Sequence, residues 1–292
     1  MFKNKLKVNR GPIALNVFEY IMMYGWLLIV VFPFAWILSL SLRKTQGVFK
    51  NLFFQSFHEI TFENYFYLFK GEFPYRKIQI FFINAFKNSF IVTTVSVIII
   101  IVIALLAGYA FAKLKFFGRS ASFYFILAGM MIPVQVIMLP LFRIVKIIGI
   151  QNSLLSIILP YIAIGLPLSI FLFTGFFKNI PDALIEAAKI EGANNFQILT
   201  KIILPLSKPV IGANIIFQFM FNWNEFSLAL VLLQKANLYT LPIEITKVQG
   251  QYMTPWNIFA TAAMAAIIPV IVIYLIFQKQ FVSGLTAGAI KE

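Results

Sequence analysis

Residues 88–112, NSFIVTTVSVIIIIVIALLAGYAFA, contain no charged side chain, and the run Val97-Ile98-Ile99-Ile100-Ile101-Val102-Ile103 at their centre is apolar on every side. A helix needs about 20 such residues to cross a bilayer, and this stretch passes that test. A β-barrel span would show apolar and polar alternation, which is missing here. Backbone polar groups cannot stay unpaired in lipid, so the stretch is expected to be helical wherever it faces the membrane.

Five further stretches resemble it. Residues 20–42, 120–142, 147–177 and 248–278 are uncharged, and 209–234 is interrupted only by Glu225. The fold expected is therefore all-α, an integral membrane bundle of about six transmembrane helices in one domain over 1–292. Its extramembrane parts are an N-terminal segment 1–19, a loop 43–87, a loop 179–209 and a tail 282–292. Composition agrees, since 61% of the 292 residues are hydrophobic, 12% are charged and 34 are Phe. A soluble domain is roughly half apolar and could not bury the remainder. The first span is too long for a signal-peptide core and is followed by no small-residue cleavage pattern, so it is read as a retained anchor.

The net charge of +14 sits between the apolar blocks. That distribution suits membrane topology, and no basic stripe with interleaved aromatics stands apart to hold nucleic acid. Basic residues number four at the N-terminus (Lys3, Lys5, Lys7, Arg10), three at 113–119, four at 178–208 and two in the tail (Lys279, Lys291). The short connections on the other side carry Arg143 with Lys146, and Lys235 with Lys247. Segment 43–87 holds seven, but long translocated loops count less toward orientation. Both termini are expected to be cytoplasmic. Within 43–87, Glu63, Asn64 and Tyr65 are expected on a short helix against the mouth of the bundle, and His58, the only histidine, has no neighbouring ligand for a metal. With no cysteine, disulfides, thiolate metal sites and cysteine nucleophiles are excluded.

The loop 179–209 begins Asn179-Ile180-Pro181-Asp182-Ala183-Leu184-Ile185-Glu186-Ala187-Ala188-Lys189-Ile190-Glu191-Gly192-Ala193-Asn194-Asn195. It reads as a helix, a break and a second helix. Pro181 suits a first helical position and Asp182 places negative charge in the first turn. Gly192 stops the helix, Asn194 or Asn195 caps the next, and Pro205 and Pro209 end that one. Ala183, Leu184, Ala187, Ala188 and Glu191 recur at three- and four-residue steps, which makes one small apolar face ending in a carboxylate. Such a knob fits a groove in a partner protein, and equally a membrane surface. The residues alone leave both readings open.

At these positions the sequence resembles the permease subunits of ATP-binding-cassette importers. Their hallmark is Glu-Ala-Ala, three residues, Gly, nine residues, then Ile-x-Leu-Pro, which Glu186, Ala187, Ala188, Gly192, Ile202, Leu204 and Pro205 match throughout. Glu191 stands where the family often has Asp. The resemblance implies that the loop, with Ala193 beside the glycine, is a coupling helix seated in a cytoplasmic nucleotide-binding subunit, with Glu186 facing a basic residue there. Met131-Ile132-Pro133, Phe221-Asn222-Trp223-Asn224-Glu225-Phe226, Thr240-Leu241-Pro242 and Phe281-Val282-Ser283-Gly284-Leu285-Thr286-Ala287-Gly288-Ala289-Ile290-Lys291 are similar to the carbohydrate branch, as in the maltose system. This implies half of a path for a sugar or oligosaccharide. The implied partners are a second homologous permease, two copies of an ATP-binding subunit and an extracytoplasmic solute-binding protein. It also implies that the tail beyond Phe281 reaches toward the ATPase pair.

Glu225 is the one acidic residue inside a span core, and an intramembrane carboxylate is a functional candidate by default. With Gln135, Asn222, Trp223 and Asn224 it is the candidate lining of a translocation path; an interfacial position for Glu225 and an anchoring role for Trp223 stay open. No Gly-x-x-x-x-Gly-Lys-Ser/Thr occurs, so ATP and Mg belong to another chain and no cofactor is expected in this one. No triad or paired-carboxylate arrangement suggests an enzyme. A secondary transporter would be expected to show several intramembrane carboxylates and inverted repeats. Another solute, such as an amino acid, peptide or metal, is the alternative cargo within the same family.

Overall fold

The computed structural model describes residues 13–44, 60–73, 76–79, 81–248 and 255–289. His58, the N-terminal basic cluster and the last three residues lie outside them. Helix α1 (Ile13–Ser41) leads to α2 (Glu63–Lys70), the short helix expected near Glu63, and to a small antiparallel ribbon, β1 (Glu72–Phe73) with β2 (Arg76–Gln79). Then come α3 (Phe82–Lys113), α4 (Arg119–Ala128), α5 (Val134–Ile147) and α6 (Leu155–Lys178). The loop contributes α7 (Asp182–Ile190), α8 (Asn195–Ile198) and α9 (Leu204–Leu206). The chain closes with α10 (Lys208–Asn224), α11 (Ser227–Leu232), α12 (Leu241–Thr246) and α13 (Trp256–Ala289).

Four helical stretches are long and apolar enough to cross a membrane: Phe18–Ser41, Phe82–Lys113, Leu155–Lys178 and Trp256–Val282. Two bent pairs raise the number to six if each is one span. The stretch 120–142, expected to be one helix, is instead broken. Its arms Arg119–Met131 and Val134–Ile147 meet at 100°. The cause is Pro133: a residue before proline is pushed out of the helical region, and Ile132 adopts φ −86° and ψ 115°. The stretch 209–234 is also interrupted, because α10 ends at Asn224 and Glu225 turns extended at φ −68° and ψ 126°. The segment 148–154 is a connection with Gly149 and Asn152 at positive φ, so α6 starts later than its uncharged stretch.

Helices α3, α6 and α10 form the centre, with α13 along α10 and α1 along α13. Small residues let these helices approach closely, as expected where lipid supplies no hydrophobic drive between them. At Gly108 of α3 a Cβ would lie 2.7 Å from the Cβ of Phe173 on α6. The carbonyls at and just beyond the end of α1 are satisfied by a buried clamp: Asn64 Nδ2 donates to those of Ser41 and Arg43 at 2.8 Å, and Thr261 Oγ1 donates to that of Ser41 at 3.1 Å. Along Phe18–Phe34, by contrast, α1 exposes its large apolar side chains. Only lipid or protein can cover such a surface.

Candidate functional site

The loop after α6 is held by its apolar residues. Ile180, Ile185 and Ala188 are buried, and they seat α7 on the bundle. Pro181 takes the N-cap place with ψ 131°, one position before the first helical residue expected of it, and Asp182 opens the helix. Leu184, Glu186, Ala187, Ile190 and Glu191 point outward, with Ile190 87% exposed. The face drawn from the sequence therefore needs one correction: Ala188 turns inward beside Ile185, and Ile190 holds the outer position. The signal was present, since Ile190 follows Ala187 by three residues.

Gly192 ends α7 at φ +84°, which an L side chain adopts only at about 1–2 kcal/mol. Its N–H donates to the Lys189 carbonyl at 3.0 Å and that of Ala193 to the Ala188 carbonyl at 2.9 Å. This is a Schellman closure, and it pairs carbonyls that the helix end would leave open. Of the two asparagines Asn194 is the cap. Its Oδ1 accepts from Gln197 N while Gln197 Oε1 accepts from Asn194 N, both at 2.9 Å.

The second part of the loop is one helical rod from Asn195 to Leu206, wound as a π-turn over Leu199–Ile203. Pro205 lacks an N–H, so the carbonyl four residues before it has no helical donor; the adjacent bond runs from Leu204 N back to Leu199 O. Ile198 and Ile203 are fully buried, while Ile202 and Leu204 pack half-buried against the core and Pro205 is exposed. The matched motif thus splits by role. Ala188, Ile202 and Leu204 seat the loop; Glu186, Ala187 and Gly192 stand on its surface. Phe196, which the sequence did not single out, adds a ring that is 68% exposed.

A hook fixes the loop to the bundle. Lys113, the last residue of α3, donates from Nζ to the Ile180 carbonyl and to Asp182 Oδ1, both at 2.6 Å. The Lys113 side chain is 5% exposed and that of Asp182 75%. The ammonium holds the Asp182 carboxyl below the usual carboxylate range. Beyond the loop the rod meets α10 at 78°, and Ser207 at the corner donates to the Ile203 carbonyl at 2.6 Å.

Of the polar residues expected along the path, Trp223 and Asn224 border one cavity, and Gln135, Asn222 and Glu225 do not line it. Gln135 is exposed on the second residue of α5. Trp223 is 2% exposed; its Nε1 donates to the Ala266 carbonyl at 3.1 Å and its ring stacks on Phe219. Asn224 Nδ2 donates to Met220 O at 2.8 Å, and with Trp223 it borders a cavity of about 390 Å³ against α12 and α13. Glu225 is partly buried just past the end of α10. Its carboxylate accepts from the N–H groups of Leu228 and Ala229 at 2.7 and 3.1 Å and from the Tyr161 hydroxyl at 2.7 Å, capping α11. Asn222 is buried, and its amide has no protein partner among the described residues.

The largest described cavity near these residues, about 550 Å³, lies instead between the Pro133 break, α6 and α10. Phe217, Gln218 and Phe221 border it, and Gln218 Nε2 donates to the Gly165 carbonyl at 3.1 Å and Ser169 Oγ at 3.0 Å. Among the described residues no group of three or more His, Cys, Asp or Glu could hold a metal ion.

Comparison with known proteins agrees with this architecture. The model of the family described as binding-protein-dependent transport system inner membrane component matches residues 100–286. The chain is 36% identical over 261 residues to the trehalose transport system permease protein SugB of Mycobacterium tuberculosis (strain CDC 1551 / Oshkosh), covering 89% of this chain and 92% of that one. It is 34% identical to the arabinooligosaccharides transport system permease protein AraQ of Bacillus subtilis (strain 168), over 80% and 79% of the two chains. To the sulfoquinovosyl glycerol transport system permease protein SmoH of Agrobacterium fabrum (strain C58 / ATCC 33970) it is 34% identical, over 89% of each. The fold is shared with a bacterial ABC transporter involved in the import of the acidic polysaccharide alginate, with a TM-score of 0.76, 22% identity and coverage of 92% and 96%. The chain belongs to the binding-protein-dependent transport system inner membrane components: it is a permease subunit of an ATP-binding-cassette importer, in a family without catalytic activity or a cofactor of its own.

Proposed function

We propose that this subunit forms half of a translocation path for a sugar or oligosaccharide, and that the loop 179–209 couples it to a cytoplasmic ATP-hydrolysing subunit. The observation that carries the coupling role is the exposed knob. Glu186, Ala187, Ile190, Glu191 and Phe196 project from an element whose other side is anchored by Ile180, Ile185 and Ala188. An exposed apolar side chain flanked by carboxylates suits an apolar groove with a basic rim better than an anionic membrane surface. The basic segment Lys113 to Arg119 supports a cytoplasmic position for the loop, and an even number of spans supports the same side for both termini.

The named relatives above support carbohydrate as cargo, and the assembly we infer contains a second homologous permease, two ATPase subunits and an extracytoplasmic solute-binding protein. The path runs by the 550 Å³ cavity, where Phe217 and Phe221 offer rings and Gln218 an amide. Replacing Gly192 with Trp tests the coupling role, because it strains the φ +84° turn and enlarges the knob. Uptake is expected to fall below detection with the subunit still in the membrane. Normal uptake would refute the coupling assignment.

A further inference from the structure

Where α6 ends and α4 begins, a cavity of about 180 Å³ opens beside the apolar spans. Arg119, Ser120, Thr174 and Lys178 line it between the rings of Phe111 and Phe123. Arg119 donates to the carbonyls of Ala112 and Leu114 at 3.2 Å, which fixes its guanidinium against the end of α3. A guanidinium carries five N–H groups, so donors remain. Lys178 Nζ lies 5.7 Å over the Phe123 ring. Among the described residues neither cation meets a carboxylate.

Two further features point to a missing acceptor. Thr174 is 1% exposed, and its hydroxyl has no hydrogen-bond partner among the described residues. Such a group costs free energy until an acceptor arrives. The first two residues of α4 also border the cavity, and no side chain caps that ten-residue helix. Its first-turn N–H groups and positive end favour an anion there.

We propose that this cavity is a binding site for a phosphate diester, filled by the headgroup of an anionic phospholipid. Lys178 terminates the span α6 and Arg119 opens the first arm of the bent pair before it, so the cavity sits at the level where lipid phosphates lie. The exposed ring of Tyr124, which borders the cavity, suits the same interface. A basic pocket between transmembrane helices is the arrangement that captures anionic headgroups. The assignment rests on these residues and not on the coupling role of the loop.

The full-length chain in phosphatidylcholine vesicles, titrated with phosphatidylglycerol and read by native mass spectrometry for retained lipid, tests it. Arg119→Gln and Lys178→Gln should each weaken retention by about fivefold, and together by about the product. Lys146→Gln, exposed at the far end of α5, should change nothing. Thr174→Val, nearly isosteric and safe for folding, should also weaken retention. Equal retention by the wild type and the double variant would overturn the site. Equal occupancy by inorganic phosphate alone in neutral vesicles would overturn the lipid as its ligand.

Discussion

The loop 179–209 and the segment 221–226 both attracted attention in the sequence for polar residues beside apolar ones, yet the fold uses them in opposite ways. In the loop Glu186 and Glu191 are turned out with nothing across from them among the described residues, and Ile190 stands beside them exposed. In the span segment Glu225 is consumed by two backbone N–H groups and the Tyr161 hydroxyl, and Trp223 is core. A carboxylate at a helix end in water needs no partner. One inside a membrane bundle must find donors, and the donors it finds set its role.

This contrast can be attacked directly. Glu225→Ala should have the larger effect on the folded subunit, because it strands three donors, each costing about 1–3 kcal/mol when buried unpaired. Thermal unfolding of the reconstituted complex should drop sharply, whereas Glu186→Ala should leave it unchanged. Equal drops would erase the distinction between the two regions.

Lys113→Ala should come next. It removes the hook between α3 and the start of α7, and transport per ATP hydrolysed should fall several-fold while the subunit stays assembled. Its pH dependence has a definite sign. The Asp182 carboxyl is held below its ordinary range, so the pair's contribution is present above that range and is lost as pH falls through the lowered value. Near neutral pH the hook is intact, and Asp182→Asn should reproduce at pH 7 what acid does to the wild type. The smallest effect expected is from Asn194→Ala, which deletes a capping box at about 1 kcal/mol. A lower unfolding temperature with unchanged uptake would confine Asn194 to a structural part.

The spans were legible because composition alone decides which segments can enter lipid. The breaks were not. Pro33, Pro140, Pro160, Pro167 and Pro269 all remain inside helices, while Pro133 accompanies a 100° bend. Whether a proline interrupts a membrane helix depends on what else satisfies the freed carbonyl, which is a property of neighbours distant in sequence. The stop at Gly192 and a cap at Asn194 or Asn195 were legible for the opposite reason, since the partners lie within five residues, and the structure settles on Asn194. Ala188 was misplaced because periodicity defines faces without saying which face turns inward. The contacts that fix the helix to the bundle are distant in sequence, as Lys113 is 69 residues from Asp182. Glu225 and Tyr161 are 64 apart, and nothing local to either announces the other.

On the proposed coupling role, the outer face of α7 meets an ATP-hydrolysing subunit. The chain has no cysteine, so a single one placed at Ile190 is the only thiol in this subunit. In the assembled transporter Ile190→Cys should cross-link to the ATPase subunit in a manner that changes with nucleotide, and Ile185→Cys, on the buried face, should not. Equal labelling at both positions, or none at Ile190, would contradict the account.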